Sequence, residues 1–272
     1  VGDGVALSST LMFDHPTARQ VAIHLRGTEP SAADIGGGNV VLASAGEHVE
    51  VVGLQATLPM CVSELREMSH CGRDLLCVIP LTRWDVEQAA LDLVGSPPEV
   101  ASRVRHGGFA AGVHLVDNIA FRVSPAEAAA MDPQQRLLLE QGHAALHDGR
   151  DRNVDLGSNI GVFLGISMSE FAQLLSASLA GESVYAATGA SLSIASGRLS
   201  YVLGLRGPCV SYDTACSAAL TACHGGRCAL RLHECTRSLI AGVNLILSPR
   251  VGISFAVAGM TSLHGRCHTF DA

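Results

Sequence analysis

The sequence predicts an α/β fold with a sheet buried on both faces, on three observations. Apolar runs of strand length, such as Ile160–Ile166 (IGVFLGI) and Ser238–Leu247 (SLIAGVNLIL), lack the polar alternation of a sheet with one wet face. Segments with helical spacing stand between those runs. The composition, 48% hydrophobic against 16% charged over 272 residues, is enough to bury a sizeable core.

Taken in order, residues 1–26 hold a short apolar turn segment, then Asp14-His15-Pro16-Thr17, then a helix with Val21, Ala22 and Leu25 at helical spacing. Residues 27–47 (GTEPSAADIGGGNVVLASAGE) read as a linker, and the main domain begins at residue 48. Val49–Leu54 (VEVVGL) suits a buried strand. Asp132–Leu146 predicts a helix, with Pro133 in its first turn and leucines 137, 138, 139 and 146 on one broad face. Ile160–Ile166 is a strand, Glu170–Leu179 and Leu192–Leu203 are helical, and Val210–Tyr212 is a strand. After Cys216 a helix runs to about Leu232, followed by the strand Ser238–Leu247. No short-period repeat is present.

Composition also excludes functions. All 18 basic residues are arginine, so neither Schiff-base lysine chemistry nor a phosphate-binding loop lysine is available. A net charge of −7, with no basic run, argues against nucleic acid as a partner. The longest apolar segments are too short for a membrane span, and no signal peptide opens the chain. Nine cysteines without the regular spacing of a secreted scaffold indicate reduced thiols and a cytoplasmic setting. Val1 in place of Met points to a longer parent polypeptide.

Cys216 lies in Val210–Leu220 (VSYDTACSAAL), where a strand passes through Asp213-Thr214 into a helix. A cysteine there meets the positive end of the helix dipole, which favours the thiolate. The strand–turn–helix arrangement exposes a nucleophile as the elbow of hydrolases does, and small neighbours leave room for a substrate and for the Cys216 N–H to face an oxyanion. A cysteine among alanines is also an ordinary small core residue. From this window alone both readings stand.

Gly207–Leu220 (GPCVSYDTACSAAL) closely resembles the active-site signature of β-ketoacyl synthases, above all the ketosynthase domains of modular polyketide synthases. In matching order the chain carries Val104–Phe109 (VRHGGF), Met131–Glu140 (MDPQQRLLLE), Ser196–Leu205 (SGRLSYVLGL), Ala241–Pro249 (AGVNLILSP) and Gly265–Ala272 (GRCHTFDA). Residues 1–26 resemble the tail of an acyl carrier protein through Phe13-Asp14-His15-Pro16-Thr17.

The resemblance implies a thiolase-like α/β/α layered fold, of which residues 48–272 cover the first half, preceded by a short helical carrier remnant. It implies that Cys216 accepts an acyl chain from the phosphopantetheine arm of a partner acyl carrier protein. Decarboxylation of a malonyl-type extender and condensation with that thioester follow in the family. It further implies a homodimer, with acyl and malonyl thioesters as substrates and no cofactor or metal bound by the chain itself. The family's His-Gly-Thr-Gly-Thr segment and later Gly-His pair have no counterpart in this sequence, and His224, His264 and His268 do not match them. The nucleophile is therefore present without the decarboxylating histidines, and the alternative is a non-catalytic truncated or docking fragment of a polyketide synthase. A cysteine hydrolase built on Cys216 is a third reading without a matching His motif. His224-Gly225-Gly226 departs from the family's helix, two glycines costing about 1 kcal/mol each.

Other constellations carry blander readings. His143 and His147, at i and i+4, lack the glutamate of a zinc protease motif. Cys223, Cys228, His233 and Cys235 lack paired C-x-x-C spacing. Asp132 and Gln135 belong to a helix entry that is structural in the family, and Asp213 suits a turn better than a catalytic triad. Gly157–Gly165 (GSNIGVFLG) has neither the spacing nor the acidic residue of a dinucleotide fingerprint.

Overall fold

The computed structural model describes residues 49–57, 74–91, 97–148 and 157–267, all within the unit His48–Ala272. The helix after Pro16, the carrier remnant and the linker lie outside the described residues.

A two-residue antiparallel ladder pairs Cys77–Val78 with His106–Gly107, and short helices span Val86–Leu91 and Pro98–Arg103. Helix α1 (Pro125–Ala130) opens on Ser124, whose Oγ accepts from Glu127 N at 3.1 Å, with proline at the first helical position. Helix α2 (Pro133–Asp148) opens in the same way, Asp132 Oδ1 accepting from Gln134 N at 2.8 Å. Strand β1 (Ile160–Ile166), helix α3 (Leu192–Val202), strand β2 (Cys209–Tyr212), helix α4 (Ala218–Arg231) and strand β3 (Arg237–Val243) follow in that order. Helix α5 (Pro249–Val257) comes next and packs Ala256 against Val100 and Val104.

The sheet is parallel, with β1 between β2 and β3. Side-chain alternation along β1 sets the layers. Ile160 and Val162 pack with Leu139 of α2 and Leu199 of α3, and Leu164 and Ile166 with Leu138 and Ala195 of the same helices. Phe163, on the opposite face, packs with Ala222 and Ala229 of α4. Two helices, a sheet and a third helix thus make an α/β/α sandwich, and all seven residues of β1 are buried at its centre.

The expected layering is correct, with four local corrections. Burial on both faces holds for β1 only, because β2 and β3 are the edges of the described sheet and expose Val210 and Ile240. Val49–Leu54 is not a buried strand: it has no ladder partner among the described residues, and Val51 is 78% exposed. Helix Glu170–Leu179 shortens to Phe171–Ser176, followed by a 3₁₀ turn at Leu179–Glu182. Strand Ser238–Leu247 ends at Val243, because Leu247 N and Ser248 N turn away to donate to Glu170 Oε2 at 2.9 and 2.5 Å, fixing the start of α5.

Helix α4 also runs unbroken through Gly225 and Gly226. The expected weakening omitted what the glycines permit. A Cβ at Gly226 would lie 3.0 Å from Ile240, so its absence lets the helix lie close on β3.

Candidate active site

Cys216 stands at the carboxyl end of the parallel sheet, the end at which α/β folds gather their functional residues. The register aligns Tyr212 of β2 with Gly165 of β1 and Gly165 with Gly242 of β3. The first turn of α4 sits on these glycines: a Cβ at Gly165 would lie 2.4 Å from Ala219 N, and one at Gly242 would lie 2.8 Å from Ala219 Cβ. Side-chain-free strand ends therefore form the floor under the helix that follows Cys216.

Between β2 and α4 the backbone reverses through a 3₁₀ turn, Ala215–Ser217, with Ala215 at φ 52°. A left-handed alanine is strained, and it persists where its surroundings over-determine it. Asp213 Oδ1 accepts from Ala215 N at 3.2 Å, so Asp213 shapes the turn as expected. Ser217 N donates to the Thr214 carbonyl at 3.2 Å, and Ser217 Oγ donates to the same oxygen at 2.8 Å. The free thiol of Cys216, carried on this turn, is exposed.

The Asp132–Gln135 entry is a buried polar brace. Asp132 Oδ2 accepts from Ser169 Oγ at 2.7 Å, and Gln135 Nε2 reaches the carbonyls of Thr188, Gly189 and Ser191 at 3.0–3.2 Å. Arg198 of α3 donates Nε to Gln135 Oε1 at 2.7 Å and pairs with Glu127. Burial lowers the pKa of Arg136, with Asp132 opposing. Ser211 of β2 in turn lies 2.8 Å from Ser196 Oγ of α3, which ties the strand before the elbow to this braced layer.

The thiol–imidazole cluster does not assemble. Cys235 is buried while Cys223 and His233 are exposed, and the partner of Cys228 Sγ is His224 Nε2 at 3.5 Å, a residue outside that set. Burial pushes the Cys235 thiol up, the Gly161 backbone hydrogen bond opposes this, and Glu234 adds to it. His143 and His147 stay largely exposed with ring centroids 4.2 Å apart, and the partial burial of the His143 ring, then His147, lowers the pKa of His143. No group of three or more His, Cys, Asp or Glu residues suited to a metal occurs among the described residues, where no helix is long and apolar enough to cross a membrane. His264 is exposed, and His268 lies outside the described residues.

Two parts of the site were not read from the sequence: the left-handed Ala215 and the glycine floor. The floor did leave a signal, a glycine next to the end of each apolar run in VFLGI and LIAGV.

A layered α/β/α fold with a cysteine elbow at the carboxyl end of its parallel sheet is a thiolase-like arrangement. Residues 46–272 match the β-ketoacyl synthase N-terminal domain, and the chain belongs to that family. It is 38% identical to the spectinabilin polyketide synthase system protein NorC of Streptomyces orinoci, over 99% of this chain and 12% of that protein. It is 40% identical to the polyketide synthase GfsB of Streptomyces halstedii, over 99% of this chain and 5% of that protein. Among solved structures it resembles the ketosynthase from module 6 of the bacillaene synthase of Bacillus subtilis, with TM-score 0.68 and 32% identity over 81% of this chain and 36% of that one. The oxazolomycin ketosynthase domain of Streptomyces albus gives TM-score 0.66 and 29% identity over 81% of this chain and 39% of that one. The chain therefore spans a small part of the curated relatives and just over a third of the solved ketosynthases.

Proposed function

We propose that Cys216 is the acyl acceptor of a polyketide synthase ketosynthase, taking an acyl chain as a thioester before condensation with a malonyl-type extender. The observation that carries the reading is the exposed thiol on a turn with a left-handed residue, at the carboxyl end of a parallel sheet, in a chain of this family. A thiolate is both a good nucleophile and a good leaving group, so covalent capture divides one hard acyl transfer into two easier ones. The acyl donor is a thioester on the phosphopantetheine arm of an acyl carrier protein, and an exposed sulfur suits delivery on such a tether. Residues 1–26 are proposed as the end of a preceding carrier domain. The assembly is proposed to be a cytoplasmic homodimer.

The test is to incubate the full chain with a short acyl thioester of N-acetylcysteamine and map the added mass. Trypsin cuts this lysine-free chain after arginine alone, leaving Cys209, Cys216 and Cys223 on the peptide Gly207–Arg227, so fragmentation assigns the site. Acylation at Cys216, abolished by Cys216→Ala, is expected; no acyl group at Cys216 overturns the reading.

A further inference from the structure

Three hydroxyls surround the elbow that carries Cys216. Thr214 stands two residues before the cysteine, Ser217 one after, and Thr221 one helical turn further along α4. Ser217 Oγ lies 2.8 Å from the Thr214 carbonyl, Thr214 Oγ1 lies 3.1 Å from Thr221 Oγ1, and Thr221 Oγ1 lies 3.1 Å from the Ser217 carbonyl. Each hydroxyl has one proton to donate. Assigned one apiece, they close a ring: Ser217 donates to the Thr214 carbonyl, Thr214 to the Thr221 hydroxyl, and Thr221 to the Ser217 carbonyl.

Thr214 and Ser217 belong to the turn and hold it to itself. Thr221 is the member contributed by the body of α4, the helix seated on Gly165 and Gly242. Thr221 therefore joins a strained turn to a fixed helix, from both sides of the cysteine. A threonine bonding the carbonyl four residues back is common within helices. Its second bond, to a side chain that precedes the cysteine, is what extends this one across the elbow.

We propose that Thr221 is a positioning residue that holds the Cys216 elbow in the geometry needed for acyl transfer. The proposal rests on Cys216 being the acyl acceptor. In that step the Cys216 Sγ–acyl carbon bond forms, the carbon–sulfur bond of the incoming thioester breaks, and the departing thiol takes up the proton that Cys216 gave up. Attack on a carbonyl is sensitive to the placement of the sulfur, whereas displacement of iodide from iodoacetamide needs only an accessible thiolate.

The test compares the full chain with Thr221→Val, which keeps the shape and removes the hydroxyl, and with Thr221→Ser, which restores the hydroxyl. Acylation of Cys216 by the N-acetylcysteamine thioester is expected to slow about three- to tenfold in Thr221→Val, the loss of about one hydrogen bond, and to recover in Thr221→Ser. Iodoacetamide labelling of Cys216 is expected to stay within about twofold and the buried Cys235 to stay protected, which a general loss of structure would not allow. Unchanged acylation in Thr221→Val, Cys216 labelling that slows in step with acylation, or labelling of Cys235 in that variant, overturns this inference alone. Absence of acylation in the unmodified chain overturns the proposed function and this inference with it.

Discussion

The Tyr212 hydroxyl rests directly on the backbone of Gly225: a Cβ built there would lie 2.3 Å from Tyr212 Oη and 2.9 Å from Cζ. Alanine is the better helix former by about 1 kcal/mol, but packing decides the sign here. Gly225→Ala is expected to destabilise by about 1–3 kcal/mol, read from denaturant unfolding. Tyr212→Phe removes the nearest atom, so the double variant should recover part of the loss. A positive coupling energy in that cycle checks the contact, and strict additivity would contradict it.

Gly165 and Gly197 make opposite predictions for one substitution. A Cβ at Gly165 would meet the backbone of Ala218 and Ala219 at 2.4–2.5 Å, so Gly165→Ala must displace the start of α4. The expected cost is about 2 kcal/mol or more, with slower acylation of Cys216. Gly197, within α3, has nothing within 4 Å of its Cβ position, and Gly252 of α5 is equally open. Gly197→Ala and Gly252→Ala are each expected to stabilise by about 0.5–1 kcal/mol, with a higher thermal midpoint.

These glycines mark the boundary of what the sequence makes legible. Ile160–Ile166 was readable as a strand to the residue, because a wholly buried strand needs no polar alternation and has no alternative home. Helix α2 was readable from Pro133 and its leucines, and the position of Cys216 between a strand and a helix was readable from the turn residues around it. Gly225 and Gly226 look like a cost in the sequence, because propensity is local and Tyr212 and Ile240 reach them only through tertiary packing. Ala215 gave no sign of φ 52°, since alanine does not prefer that region and the hydrogen bonds of Asp213 and Thr214 impose it. Val49–Leu54 shows the same limit from the other side: an apolar run becomes a strand only when a neighbour supplies the ladder.

His143 sets a direction for the pH dependence of stability. Its pKa is lowered from 6.5 first by burial and then by His147, whose ring is 4.2 Å away. The unfolded chain therefore takes up the proton before the folded one does. Its cost to stability is absent above about pH 6.5 and grows as pH falls from there toward the folded value. Thermal midpoints measured from about pH 8 to about pH 5 should fall on the acid side, and His143→Gln should flatten that fall. A slope identical in the two proteins would remove His143 from the account.

Cys235 and Cys216 should differ most in their reaction with a small alkylating agent. Cys235 is 4% exposed, packed with Phe163 and Ala229 beneath α4, and its pKa is raised mainly by burial. Such a thiol is protonated at about pH 8 and has no path to reagent while the sheet is intact. Cys216 and Cys223 are exposed. Iodoacetamide at about pH 8 is therefore expected to modify Cys216 and Cys223 in the native chain at least about tenfold faster than Cys235, which should react only in denaturant. The tryptic peptide Leu232–Arg237 carries Cys235 as its one cysteine, so the comparison needs no further assignment. Equal labelling under native conditions would mean that β1 does not stay packed against α4, and the floor beneath the Cys216 elbow would be lost with it.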